Sequence, residues 1–103
     1  MRAKAGDREP ALRRQPAQKP LALLEFLVRT YTRPGGLVLD CCMGSGSTGI
    51  AALRCGRRFI GMELNASRFR AGATRVLRSA AQPPVSDRAF GLAMNREREK
   101  RKR

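Results

Sequence analysis

The chain has 103 residues, 22 of them Lys or Arg against 8 Asp or Glu, no His and no Trp, for a formal net charge of +14. Without histidine, Ser-His-Asp and Cys-His catalysis are excluded, and a zinc ion would have to be held by cysteine and carboxylate alone. The length allows one small core.

Residues 1–18 carry five basic and two acidic groups with Pro10 and Pro16 and no apolar periodicity, which predicts a basic flexible arm. Residues 19–82 hold nearly all the apolar clusters and form the packable unit. There, Pro20 opens a helix on which Leu23, Leu24, Leu27 and Val28 recur at helical spacing until Thr32-Arg33-Pro34-Gly35-Gly36 stops it. Leu37-Val38-Leu39-Asp40 then reads as a buried parallel strand ending in a carboxylate. Gly44-Ser45-Gly46-Ser47-Thr48-Gly49 leads into a short helix from Ile50 to Cys55, with Ser45 or Ser47 as candidate cap and Gly56 closing it. A second strand runs from Arg57 to Glu63, and Phe69, Ala73, Val76 and Leu77 mark a third helix. Residues 83–103 begin Pro83-Pro84 and end in a run of Arg, Lys and Glu, read as a basic flexible tail, helical at most in part. The order helix-strand-helix-strand-helix predicts an α/β fold built as a partial Rossmann-like parallel sheet.

Glycines 44, 46 and 49 satisfy G-x-G-x-x-G between a predicted strand and a helix, and Glu63 follows the first of them by 19 residues. Glycine lets backbone approach a ligand, the opening helix amides favour negative charge, and a carboxylate at the second strand end can accept from ribose hydroxyls. The pattern points to an adenosine-containing ligand and leaves open a dinucleotide or S-adenosylmethionine; alternatively, the glycines make only a tight turn. The three cysteines, Cys41, Cys42 and Cys55, lack CxxC spacing and are odd in number, which indicates neither a disulfide framework nor a metal site and suits a reducing compartment. Cys41 and Cys42 read as small apolar residues at a buried strand end, with a pair of reactive vicinal thiols as the alternative. The run Leu21 to Leu24 is broken by Glu25, and residues 1–7 lack a signal peptide's apolar centre, so a cytoplasmic protein with no membrane partner is expected.

Over about residues 15 to 80 the sequence resembles the DNA amino-methyltransferases that modify adenine N6 or cytosine N4, in the subgroup whose cofactor motif follows the catalytic motif. The resemblance rests on Gln18-Lys19-Pro20, on Thr32 to Asp40, on Met43-Gly44-Ser45-Gly46-Ser47-Thr48-Gly49 and on Gly56 to Glu63, in that order. It implies S-adenosylmethionine as cofactor, with Lys19 on its carboxylate, the loop from Asp40 through Cys42, Gly44, Ser45, Gly46, Ser47 and Thr48 around its amino and sulfonium end, and Glu63 on the ribose. The charges agree: Asp40 is an anion for a cationic sulfonium and ammonium, and Lys19 a cation for a carboxylate. A nicotinamide or flavin ligand would leave Gln18-Lys19-Pro20 unexplained.

Two departures stand out. Where the family usually has Asp-Pro-Phe this chain has Asp40-Cys41-Cys42, losing a stiffening proline and an aromatic wall. The family's catalytic motif, an Asp, Asn or Ser followed by Pro-Pro and an aromatic, has no counterpart before the loop, and Gln82-Pro83-Pro84-Val85 lacks the ring. No catalytic residue is assigned, and a truncated or split cofactor-binding portion, completed by a second chain, is expected. Segment charges of +3, +7 and +4, with Arg68, Arg70, Arg75 and Arg78 on the third helix, suit DNA as partner. A non-catalytic basic nucleic-acid-binding protein with a decayed methyltransferase fold is the alternative. The resemblance implies a bacterial or phage-type protein.

Overall fold

The structure, a computed structural model, describes residues 20–102. Helix α1 (Leu21–Tyr31) starts after Pro20, whose φ of −59° suits a helix start. Its core contacts come from Leu24 and Val28, four residues apart, whereas Leu23 and Leu27, expected on the same face, lie on its exposed flank. The helix ends where Thr32 turns extended, and Gly35, at φ +77°, makes the reversal into strand β1 (Leu37–Asp40).

From β1 the chain passes through the glycine-rich loop into α2 (Ser47–Arg54) and returns in β2 (Arg58–Gly61). The strands pair in parallel, Leu37 opposite Arg58 through Asp40 opposite Gly61, as a strand-helix-strand crossover requires. Helix α2 is the centre of the core: Ile50, Ala51 and Ala52 are buried, and it packs on α1, on both strands and on α3 (Ala66–Ala80). Its alanines allow this, because small side chains bring neighbouring backbone close on several sides. Gly49 belongs to the same device, since a Cβ there would lie 2.6 Å from the Phe59 ring and 2.9 Å from Val76 Cγ2.

Side chains alternate across the sheet. Val38 and Phe59 are half-buried on the side of α2, whereas Leu37, Leu39 and Ile60 on the other face are exposed, Leu39 to 61%. Among the described residues the sheet has two strands and this second face is uncovered. Parallel sheets are ordinarily buried on both faces. The architecture is the predicted partial Rossmann-like α/β order.

Within the segment read as a tail, Asp87–Arg101 is a helix, α4. It buries no side chain but is held at its start. The Ser86 hydroxyl accepts from the Ala89 amide, the Val85 amide donates to the Arg54 carbonyl, and Asp87 meets Arg29 and Arg57. Ser86-Asp87 supplies a cap and a first-turn acid, and Arg98, Lys100 and Arg101 lie in the last turn, so charge follows the helix dipole even without a core face.

Candidate functional site

The site is built at the carboxyl ends of β1 and β2. Asp40 closes β1, and Glu63 lies two residues past Gly61, the end of β2, so the parallel pairing brings both carboxylates to one edge of the sheet. The loop is laced to that edge: the Met62 amide donates to the Asp40 carbonyl and the Met43 amide to the Met62 carbonyl, both at 2.9 Å. Each carboxylate also shapes its own turn. Asp40 Oδ1 accepts from the Cys42 amide at 3.0 Å, and Glu63 Oε2 accepts from the Asn65 amide at 2.9 Å.

Two glycines of the loop are in the left-handed region, Gly44 at φ +49° and Gly46 at φ +81°. At Gly44 a Cβ would meet nothing within 4 Å, so its requirement is conformational and the loop opens there onto free space. At Gly46 the constraint is also steric, since a Cβ would lie 2.8 Å from the Gly72 carbonyl oxygen and from Val76 Cγ2. Gly46 is the residue preceding α2, so the N-cap position itself carries no side chain. The hydroxyls of Ser45 and Ser47, the two expected caps, lie 3.1 Å from one another, and Gly46 enters the helix in a conformation that glycine takes without a Cβ clash. Gly56 (φ +76°) ends the helix as expected.

Sequence reading missed the residue that seats α3 on this loop. Gly72 is buried, and a Cβ on it would come 2.5 Å from the Gly44 carbonyl oxygen. A glycine inside an otherwise helical pattern was the available signal, because it costs roughly 1 kcal/mol against alanine and so points to close packing. Arg75, one of the four arginines counted in the positive field of α3, also donates from Nη1 to the Ser45 carbonyl at 2.8 Å, bracing the loop from α3. Arg68, Arg70 and Arg78 are exposed. Phe69, Ala73, Val76 and Leu77, the residues that marked the third helix in the sequence, line a groove of about 220 Å³ with Met43, Phe59 and Gly61.

Cys41 and Cys42 are exposed, which corrects their assignment to a buried strand end. The chain turns away from the sheet directly after Asp40, so both thiols leave the core. The Cys42 thiol is held above its ordinary value, chiefly by its contact with the Cys41 sulfur, with the carboxylates of Asp40 and Glu63 acting in the same direction. Thr48 lies half-buried in the first turn of α2. Lys19 lies outside the described residues. Among the described residues no group of three or more potential ligands is placed to hold a metal, and no helix is long and apolar enough to cross a membrane.

The glycine loop and the two strand-end carboxylates, Asp40 and Glu63, lie within the stretch that matches a known family. Residues 2–74 match the DNA methylase family that comprises N6 and N4 enzymes. The chain belongs to this family. The Escherichia coli (strain K12) protein YubD is 43% identical over 81 residues, which are 76% of this chain and 36% of YubD. The type II methyltransferase M1.MboII of Moraxella bovis is 52% identical over 48 residues, 47% of this chain and 18% of the enzyme. Among solved structures, the crystal structure of an M1.HpyAVI-SAM complex superposes with a TM-score of 0.56 at 42% identity, covering 59% of this chain and 30% of that one. The DNA methylase chain described here thus spans 36% or less of the length of these relatives.

Proposed function

We propose that this DNA methylase chain is the S-adenosylmethionine-binding portion of a DNA amino-methyltransferase acting on adenine N6 or cytosine N4. The observation that carries the reading is the convergence of Asp40, Glu63 and the loop around Gly44 at one edge of a parallel sheet, the place where ligands bind in open α/β folds. The donor chemistry fits the cofactor. Asp40 offers negative charge to a sulfonium and an ammonium, Glu63 offers acceptors to two ribose hydroxyls, and the loop at Gly44 has no side chain to obstruct approach. Lys19 is assigned the cofactor's carboxylate.

When bound, the cofactor supplies an electrophilic methyl group. The chain's own residues do the holding: Arg75 fixes the Ser45 carbonyl, Gly72 lets α3 sit against the loop, and the backbone links between Asp40, Met62 and Met43 set the spacing of the two carboxylates. What orients an exocyclic amine toward that methyl is an Asp, Asn or Ser followed by Pro-Pro and an aromatic, and these 103 residues carry no such motif ahead of the loop. That half is assigned to polypeptide beyond this sequence, whether a second chain or the remainder of a longer one. The uncovered sheet face of Leu37, Leu39 and Ile60 gives such a complement an apolar surface to cover. DNA is the substrate class, and the exposed arginines of α3 give the phosphate backbone a salt-dependent attraction.

Transfer of labelled methyl from S-adenosylmethionine to DNA tests the reading. This chain alone is expected to stay at background while binding the cofactor. Methylation by the purified chain would overturn the division of labour.

A further inference from the structure

We propose that Cys41 and Cys42 form a vicinal dithiol site for trivalent organoarsenic compounds. The two sulfurs lie 4.0 Å apart on consecutive exposed residues, at the turn where the chain leaves β1. Their backbone is fixed by the Cys42 amide, which donates to Asp40 Oδ1 at 3.0 Å, and by the Met43 amide, which donates to the Met62 carbonyl at 2.9 Å. The pair is therefore held at the surface on an anchored turn.

Three chemistries are open to such a pair, and geometry separates them. A disulfide is disfavoured, because consecutive Cα atoms stand about 3.8 Å apart whereas disulfides ordinarily span about 4.4–6.8 Å. A tetrahedral metal site needs further ligands, and among the described residues no group of three or more is placed to hold one. A trivalent arsenic centre carrying one organic group needs two sulfurs and nothing else, and by standing between them it lets them stay farther apart than a disulfide would. The reaction balances without an oxidant. Two S–H bonds and the arsenic–oxygen bonds of an organoarsine oxide break, two S–As bonds form, the oxygen leaves as water with both protons, and arsenic remains trivalent. The second sulfur acts at the high effective concentration of a tethered neighbour, so the pair is expected to exceed either thiol alone by about 10²-fold or more. Cys55 offers no comparable site, since it is buried and its sulfur donates toward the Glu25 carbonyl.

The site stands whether or not the chain binds S-adenosylmethionine. The test is titration of the full chain, reduced with a phosphine, with phenylarsine oxide, read by intact mass. One phenylarsenic adduct per chain, less one water, is expected; it should survive excess monothiol and be stripped by a small dithiol. Cys41→Ala and Cys42→Ala should each weaken retention about 100-fold, and Cys55→Ala should leave it unchanged, with circular dichroism confirming the fold of each variant. Full retention in either single variant, or loss in Cys55→Ala, would overturn the proposal.

Discussion

The guanidinium of Arg57 spends all five of its N–H donors: Nε on the Thr32 hydroxyl, Nη1 on the Cys55 carbonyl and Asp87 Oδ1, and Nη2 on the Thr32 carbonyl and Asp87 Oδ2. Arg57 is 3% exposed, and Asp87, thirty residues on, is its ionic partner and the first residue of α4. The same carboxylate takes Arg29 Nη1 at 2.6 Å, and Arg29 stacks 4.4 Å from the centre of the Phe90 ring. One side chain thus ties α4 to α1 and to the start of β2.

Removing that carboxylate leaves a buried cation without its counterion. Asp87→Ala is expected to cost about 2 kcal/mol, less than for a fully buried pair because Asp87 is partly open to water. A lower urea midpoint checks it. An unchanged midpoint would mean that the Asp87 contacts contribute nothing to the fold.

The same contact sets an acid dependence. Hydrogen bonds from Arg57, and then from Arg29, hold the Asp87 carboxyl below its ordinary range, against the opposing effect of burial. A depressed folded value means the stabilisation is complete above the unfolded value of about 3.9 and disappears as pH falls through the folded one. Thermal melts from neutral pH downward are expected to separate wild type from Asp87→Asn above that range and to converge at the acid end.

Gly72→Ala tests how α3 seats on the loop. The new methyl would come 2.5 Å from the Gly44 carbonyl oxygen, backbone that cannot swing aside. Destabilisation of about 1–3 kcal/mol is expected, with weaker cofactor binding because the loop must shift. Gly91→Ala, where a Cβ meets nothing within 4 Å, is the helical control and should be neutral or mildly stabilising. Calorimetry and thermal melts on both variants check the pair.

The open sheet face gives a prediction in the opposite direction. Leu39→Lys and Ile60→Lys alter side chains that are 61% and 49% exposed, so stability should change by about 0.5 kcal/mol or less. Urea denaturation of both variants checks it. A large loss of stability would show that this face is already packed.

Much of the site was legible because it is local. Asp40, Gly44, Gly46 and Glu63 lie at strand ends and turns, whose chemistry is written in adjacent residues, and the strand-helix-strand order follows from short apolar runs between turn signals. What was not legible joins distant positions. Nothing near Gly72 says that its partner is the Gly44 carbonyl, nothing near Arg57 names Asp87, and a charged, Pro-led segment gave no apolar stripe to reveal α4. Cys41 and Cys42 followed a buried-strand pattern one step too far, since the chain leaves the sheet at Asp40.

The most direct test of the central claim is calorimetric titration of the folded chain with S-adenosylmethionine, beside Asp40→Ala, Glu63→Ala and Lys19→Ala. Saturable binding by the wild type, weakened about tenfold or more in each variant, is the predicted result. No saturable binding by a chain whose circular dichroism reports the fold, or binding that survives all three substitutions, would contradict it.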